Sequence, residues 1–218
     1  ENDHRMIKAA YWAMVDHIDD QVGRMLSVLE ETGQKENTIV IFTSDHGEML
    51  GDHNIYIKGP FLYDPAIQVP LIVSYPGVIE GGRRASTLVE LGDLAPTILE
   101  AAGLEREPGM QTKSFWSYIT EDGALNEDFR DDVYCEYYNS NPNDPAQYCT
   151  MVRTQKFKLI NMHGQEIGEL YDLEKDPGEN NNLWFDPEYM EIKIKMLKIM
   201  SDRMAFTADP LPERRGIY

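Results

Sequence analysis

From Ile7 onward the apolar residues fall at Ile7, Tyr11, Met14, Val15, Ile18, Val22, Met25, Leu26 and Leu29. Steps of three and four predict one long amphipathic helix, and Gly33 stands where its C-terminal cap belongs. The pattern then changes. Thr38–Thr43 is a short run, apolar between its flanking threonines and bounded by turn residues, predicted as a strand buried on both faces, as in a parallel sheet covered by helices. Val69–Ser74 is a second short strand with Pro70 near its start. Asp93 is placed as the N-cap of a helix over "LAPTILEAAG", with Pro96 in the first turn and Gly103 closing it. Helix, buried strand, loop, strand and helix in that order predict an α/β layer architecture.

After about Lys113 the segments shorten. "VYCEYY", "YCTMVRT", "KFKLI" and "GELYDL" are rich in β-branched and aromatic residues. Turn clusters such as "NMHGQE" separate them, which predicts antiparallel hairpins. A last helix is expected with Asp186 as N-cap and Pro187 at its first position, running to about Phe206 and followed by an extended tail. The chain is therefore divided near residue 115, into an α/β part (1–115) and a smaller α+β lobe with an antiparallel sheet (116–218).

Composition narrows the functional classes. A chain of 218 residues with 42% hydrophobic and 10% aromatic content buries a real core. Its formal net charge of −18 argues against nucleic-acid binding and against adsorption to anionic lipid. No window approaches the apolar length of a membrane span. Two cysteines, Cys135 and Cys149, make no disulfide framework, so compartment and localisation are not readable. The chain starts Glu1-Asn2-Asp3 and runs almost directly into the first helix, with neither a signal peptide nor a starting strand. The expectation is that an upstream part precedes it. Oligomeric state is open.

The candidate chemistry sits at the end of the first strand. In open α/β sheets ligands bind outside the carboxyl ends of strands, and Ser44-Asp45-His46-Gly47 lies at such an end. Asp45 offers a hard oxygen and His46 a borderline nitrogen, two donors for a divalent cation. Gly47 lets the backbone turn beneath them, and Lys58 is the local cation an anionic substrate requires on so acidic a chain. The plainer reading is a strand-end turn in which Asp caps, Gly turns and His bonds a neighbour. Residue spacing alone does not separate the two.

The stretch "YWAMVDHIDDQVGRMLSVLEETGQKENTIVIFTSDHGEMLGDHNIYIKG" resembles the C-terminal half of the catalytic domain in sulfatases of the alkaline phosphatase superfamily. The similarity continues through "VPLIVSYPG", "LGDLAPTILEAAG" and "MVRTQKFKLI…GELYDLEKDPGENNNL". It implies an alkaline-phosphatase-like sheet portion with helices on both faces, followed by the antiparallel lobe. By the resemblance Asp45 matches a metal-ligand aspartate and His46 its neighbouring ligand, which is asparagine in many sulfatases. Lys58 matches the lysine that contacts the sulfate and the leaving-group oxygen. His53, in the second Asp-His pair, lies on the same loop. Contact with substrate and stabilisation of the loop are both open to it, the latter favoured because most such polar groups are structural. The implied cofactors are a divalent metal, Ca²⁺ ahead of Mn²⁺ or Mg²⁺, and a formylglycine outside this chain. The implied substrate is a small sulfate ester or a sulfated sugar.

The formylglycine signature, C-x-P/A-x-R, is not found. Cys149 to Arg153 has the spacing, but Met151 replaces the Pro or Ala and the segment reads as a strand, so it is taken as a chance match. The chain alone is expected not to turn over sulfate esters. Asp16, Asp19 and Asp20 are read as a solvated helix face and Tyr134, Tyr137 and Tyr138 as lobe packing. Two rivals stay open. One is a phosphonate monoester or phosphodiester hydrolase of the same superfamily, favoured by nitrogen ligation at His46. The other is a non-catalytic binding domain.

Overall fold

A computed structural model describes residues 2–121, 129–138 and 147–207. Helix α1 spans Asn2–Glu31. It ends in a Schellman turn: Gly33 adopts φ 68°, Gln34 N–H donates to Leu29 O at 2.9 Å and Gly33 N–H to Glu30 O at 3.0 Å. Not one residue of α1 is buried. Its apolar stripe carries Trp12, 63% exposed, and Met25, 60% exposed.

Strand β1, Val40–Thr43, pairs with β2, Leu71–Ser74, in register Val40↔Ser74 to Thr43↔Leu71. The pairing is antiparallel, and the side chains of β1 are half-buried or exposed. This differs from the doubly buried, parallel strand that the apolar run predicts. A continuous apolar run reports hydrophobic character, whereas direction is set by the route of the connection. Here residues 44–70, which include the one-turn helix α2, Asp64–Ile67, bring the chain back beside β1 in the opposite sense.

Helix α3 spans Leu94–Ala101 and helix α4 Trp116–Thr120. Strands β3 (Asp132–Tyr138), β4 (Tyr148–Thr154), β5 (Phe157–Met162) and β6 (Gly168–Asp172) form a four-stranded antiparallel meander. Helix α5, Met190–Phe206, follows a 3-10 turn that Asp186 caps by accepting the Glu188 N–H at 2.9 Å. The core of this part gathers Val152, Leu159, Leu170, Leu183, Met196 and Met200 between the sheet and α5. The tail expected beyond Phe206 falls on residues 208–218, outside the described residues.

The two compact units are Glu1–Arg84 and Ala85–Tyr218. Helix α3 belongs to the second of these units. An ionic network holds its start there. Asp93 is fully buried, and instead of capping α3 with its side chain it accepts two hydrogen bonds from Arg130, at 2.6 and 2.7 Å. Arg130 also meets Glu90 at 2.6 Å, and Glu90 accepts from the Tyr134 N–H of β3 and pairs with Arg203 of α5. These bonds tie the start of α3 to the second unit.

Candidate active site

Every candidate residue lies in the first unit, in the segment after β1. The turn is held from beneath. Gly47 N–H donates to Ala66 O at 2.8 Å, and a Cβ at Gly47 would collide with the Pro65 carbonyl oxygen, so glycine is required where the turn rests on α2. The Ser44 hydroxyl donates to His46 O at 2.8 Å and the His46 N–H to Asp45 Oδ1 at 3.0 Å.

His46 Nδ1 lies 2.7 Å from Gly47 O. A carbonyl only accepts, so Nδ1 carries a proton and Nε2 is the ring nitrogen left to meet a cation. That Nε2 lies 3.6 Å from Asp45 Oδ2. A ring fixed through one nitrogen, with the other beside a carboxylate oxygen, is the preparation metal-binding histidines show. Burial works upward on the Asp45 carboxyl, but the His46 charge and N–H groups and the Lys58 ammonium outweigh it and hold it below the usual range. The donor set fits a divalent cation as one edge of its shell. Among the described residues no group of three or more His, Cys, Asp or Glu side chains could hold a metal, so Asp45 and His46 stand as a pair.

His53 has a left-handed backbone, φ 52°, and its ring stacks on Tyr63 with centroids 4.0 Å apart and planes at 9°. One face of the imidazole is therefore covered by protein. Phe61 lies beyond, 6.4 Å from Tyr63 between centroids. Lys58 is exposed at the end of the same loop. Cys149 lies within β4, buried, opposite Tyr137 and Met162, and burial with the nearby Glu169 charge pushes its thiol up. It is a strand thiol, remote in kind from a modified nucleophile.

Three contributors escape sequence reasoning. Tyr63 supplies the stack beneath His53, and His4 of α1 bonds the Tyr56 hydroxyl on the lysine loop. Glu48 accepts from two backbone N–H groups of that loop. No spacing signal marks the first two, since each pairing depends on how the chain returns on itself.

The chain can now be compared with known proteins. Residues 51–205 match the family model described as N-sulphoglucosamine sulphohydrolase, C-terminal. The chain belongs to the sulfatases. It is 32% identical over 206 residues to an N-acetylglucosamine-6-O-sulfatase of Bacteroides thetaiotaomicron, covering 94% of this chain and 37% of that protein. It is 35% identical over 196 residues to an arylsulfatase of Clostridium perfringens, covering 88% and 39%. The sulfatase chain thus spans about two fifths of the length of these relatives. Among solved structures it resembles one in complex with its substrate D-glucosamine-2-N,6-O-disulfate, with TM-score 0.83, 32% identity and coverage of 94% and 42%. It also resembles a phosphonate monoester hydrolase of Agrobacterium radiobacter, with TM-score 0.80, 27% identity and coverage of 93% and 42%. The mixed α/β fold is that of the sulfatases and their superfamily neighbours.

Proposed function

We propose that this chain supplies one side of the active site of a sulfuric ester hydrolase. Asp45 and His46 hold a divalent cation, and Lys58 binds the anionic group and its leaving oxygen. The observation that carries this reading is the preset His46 ring, with Nε2 3.6 Å from Asp45 Oδ2. Held by Asp45 and His46, a divalent cation would supply Lewis-acid stabilisation of the ester's negative charge. Lys58 places an ammonium where negative charge grows on the leaving oxygen, which stabilises the transition state more than the ground state. His46 donates through Nδ1 to Gly47 O, so Nε2 is the nitrogen that would ligate the cation. None of these groups is a nucleophile, and the formylglycine expected of a sulfatase belongs to sequence outside these 218 residues.

A sulfate ester of a sugar is the preferred substrate class, because the relatives named above include a sulfatase of an amino sugar and a protein solved with a disulfated glucosamine. Ca²⁺ heads the metals the resemblance implies, with Mn²⁺ and Mg²⁺ behind it. The nitrogen donor at His46 favours the softer ions, and with the similarity to a phosphonate monoester hydrolase it keeps phosphonate or phosphodiester hydrolysis as the second reading.

The test uses the full-length polypeptide, with aryl sulfate and aryl phosphonate assayed side by side before and after chelation. Faster, metal-dependent turnover of the sulfate is expected, with Lys58→Ala lowering kcat/KM by about 100-fold or more, as for other removed transition-state donors. Faster phosphonate turnover would transfer the site to the second reading, and unchanged kinetics in Lys58→Ala would remove the lysine from it. The 218-residue chain by itself is expected to be inactive on both.

A further inference from the structure

We infer that Glu48 is a positioning residue that fixes the separation between the Asp45–His46 pair and Lys58. The inference rests on the function proposed above and deepens it. Glu48 follows His46 by two residues, and its Oε1 accepts the N–H of Leu50 at 3.2 Å and that of Ile57 at 2.6 Å. Ile57 is the residue before Lys58. One carboxylate oxygen therefore joins the end of the ligand turn to the backbone from which the lysine side chain departs.

The loop between them would not hold this shape unaided. Leu50, His53, Asn54 and Ile57 all have left-handed backbones, with φ of 47°, 52°, 60° and 71°. These are four of the five non-glycine residues with positive φ among the described residues. For a β-branched residue such as Ile57 that region is a genuine outlier. Strained conformations persist only where the surroundings over-determine them, and they cluster at ligand clamps and active sites. Three things over-determine this one. Met49 is fully buried and anchors the loop's start. Gly51 N–H donates to Ile55 O and Asp52 N–H to Met49 O, both at 2.8 Å, closing the tip. The third is Glu48, which takes the N–H of Ile57 itself.

The reach of the Lys58 ammonium is set by where the backbone launches it. Removing the Glu48 oxygen frees Ile57 to relax toward ordinary φ, which displaces the root of Lys58. A displacement of about 1 Å at a positioned group can lower the rate on the order of 100-fold. The effect belongs in kcat, because a misaimed lysine still attracts the anion in the ground state.

Glu48→Gln retains an acceptor oxygen and one side-chain length, whereas Glu48→Ala removes the acceptor. Both variants are made in the full-length polypeptide and assayed on whichever of the aryl sulfate and aryl phosphonate the parent turns over, with bound metal and thermal midpoint measured alongside. In Glu48→Ala, kcat is expected to fall about 30-fold or more with KM changed less than about threefold and bound metal unchanged. Rescue to within about threefold of the parent is expected in Glu48→Gln. A Glu48→Ala enzyme with parental kcat overturns the inference if Lys58→Ala is impaired in the same assay. So does loss of kcat that Gln fails to rescue, since charge rather than positioning would then be responsible. If Glu48→Ala does not fold, Glu48→Asp takes its place. It keeps the charge one methylene short of Ile57, and parental kcat there overturns the inference equally. Parental rates in Lys58→Ala, or no turnover of either ester by the parent, would instead sink the functional reading and this inference with it.

Discussion

Gly47 shows how tightly one residue governs the candidate site. Its N–H bonds Ala66 O, and the space where a side chain would begin is filled by the Pro65 carbonyl. Alanine there must push α2 away from the ligand turn or break that hydrogen bond. Overpacking of this kind destabilises by about 1–3 kcal/mol. Gly47→Ala is therefore expected to lower the thermal midpoint and to weaken metal binding together, since the same turn carries Asp45 and His46. Calorimetry with and without added divalent cation checks this, and a variant with both quantities unchanged would show that the contact yields without consequence. His46 is the complementary case. Its ring is oriented by a bond to the very next residue, so its readiness to ligate is a local property of the turn.

At the scale of elements, the network around Arg130 ties the start of α3 to β3 and α5. The Arg130 side chain is 4% exposed and meets Glu90 and Asp93, the latter wholly buried. Arg203 of α5 engages the same Glu90 with a side chain 24% exposed. Breaking a buried pair by deleting one partner leaves an uncompensated charge and destabilises by about 3–5 kcal/mol. Arg130→Ala is expected to fall in that range in chemical denaturation, and Arg203→Ala clearly below it. Equal effects would mean that the network acts as one unit rather than through Arg130. A second fully buried pair, Lys158 with Glu179 at 2.6 Å, anchors the "KDPGENNNL" loop to β5. Asn182 of that loop accepts the N–H groups of Leu170 and Trp184 at 3.1 and 2.9 Å. These contacts give the loop a structural task, as its turn-forming residues predict.

For the whole molecule, the two units differ in how much they bury. Among the described residues, the buried apolar side chains of the first unit are Met49, Leu62 and Ala66, and α1 buries none. The second unit holds the cluster built on Val152, Leu159, Leu170, Leu183, Met196 and Met200. Burial of apolar surface is the main force available to offset chain entropy. Residues 85–218 are accordingly expected to unfold cooperatively on their own, and residues 1–84 to show no cooperative transition. Circular dichroism melts of the two pieces test this, and a sharp transition in the shorter piece would contradict it. The acidic balance of the chain has its consequence at this scale too. A net charge of −18 on these 218 residues works against an anionic ester at long range, so on the reading proposed here Lys58 offsets it locally.

By itself the sequence determined what short-range patterns encode. Steps of three and four residues give α1 and α5, β-branched and aromatic runs give β3 to β6, and Gly33 and Asp186 mark helix ends, because each of these signals acts within a few residues of the backbone it shapes. The Asp45-His46-Gly47 turn was legible for the same reason, as a chemical pattern at a strand end. The tertiary structure alone decided the antiparallel pairing of β1 with β2. It also decided that Asp93 meets Arg130, 37 residues away, and that Glu48 reaches across nine residues to Ile57. Such contacts depend on the path the chain takes between them. A buried carboxylate bonds whatever donor the fold delivers to it, and no local pattern of residues names that donor in advance.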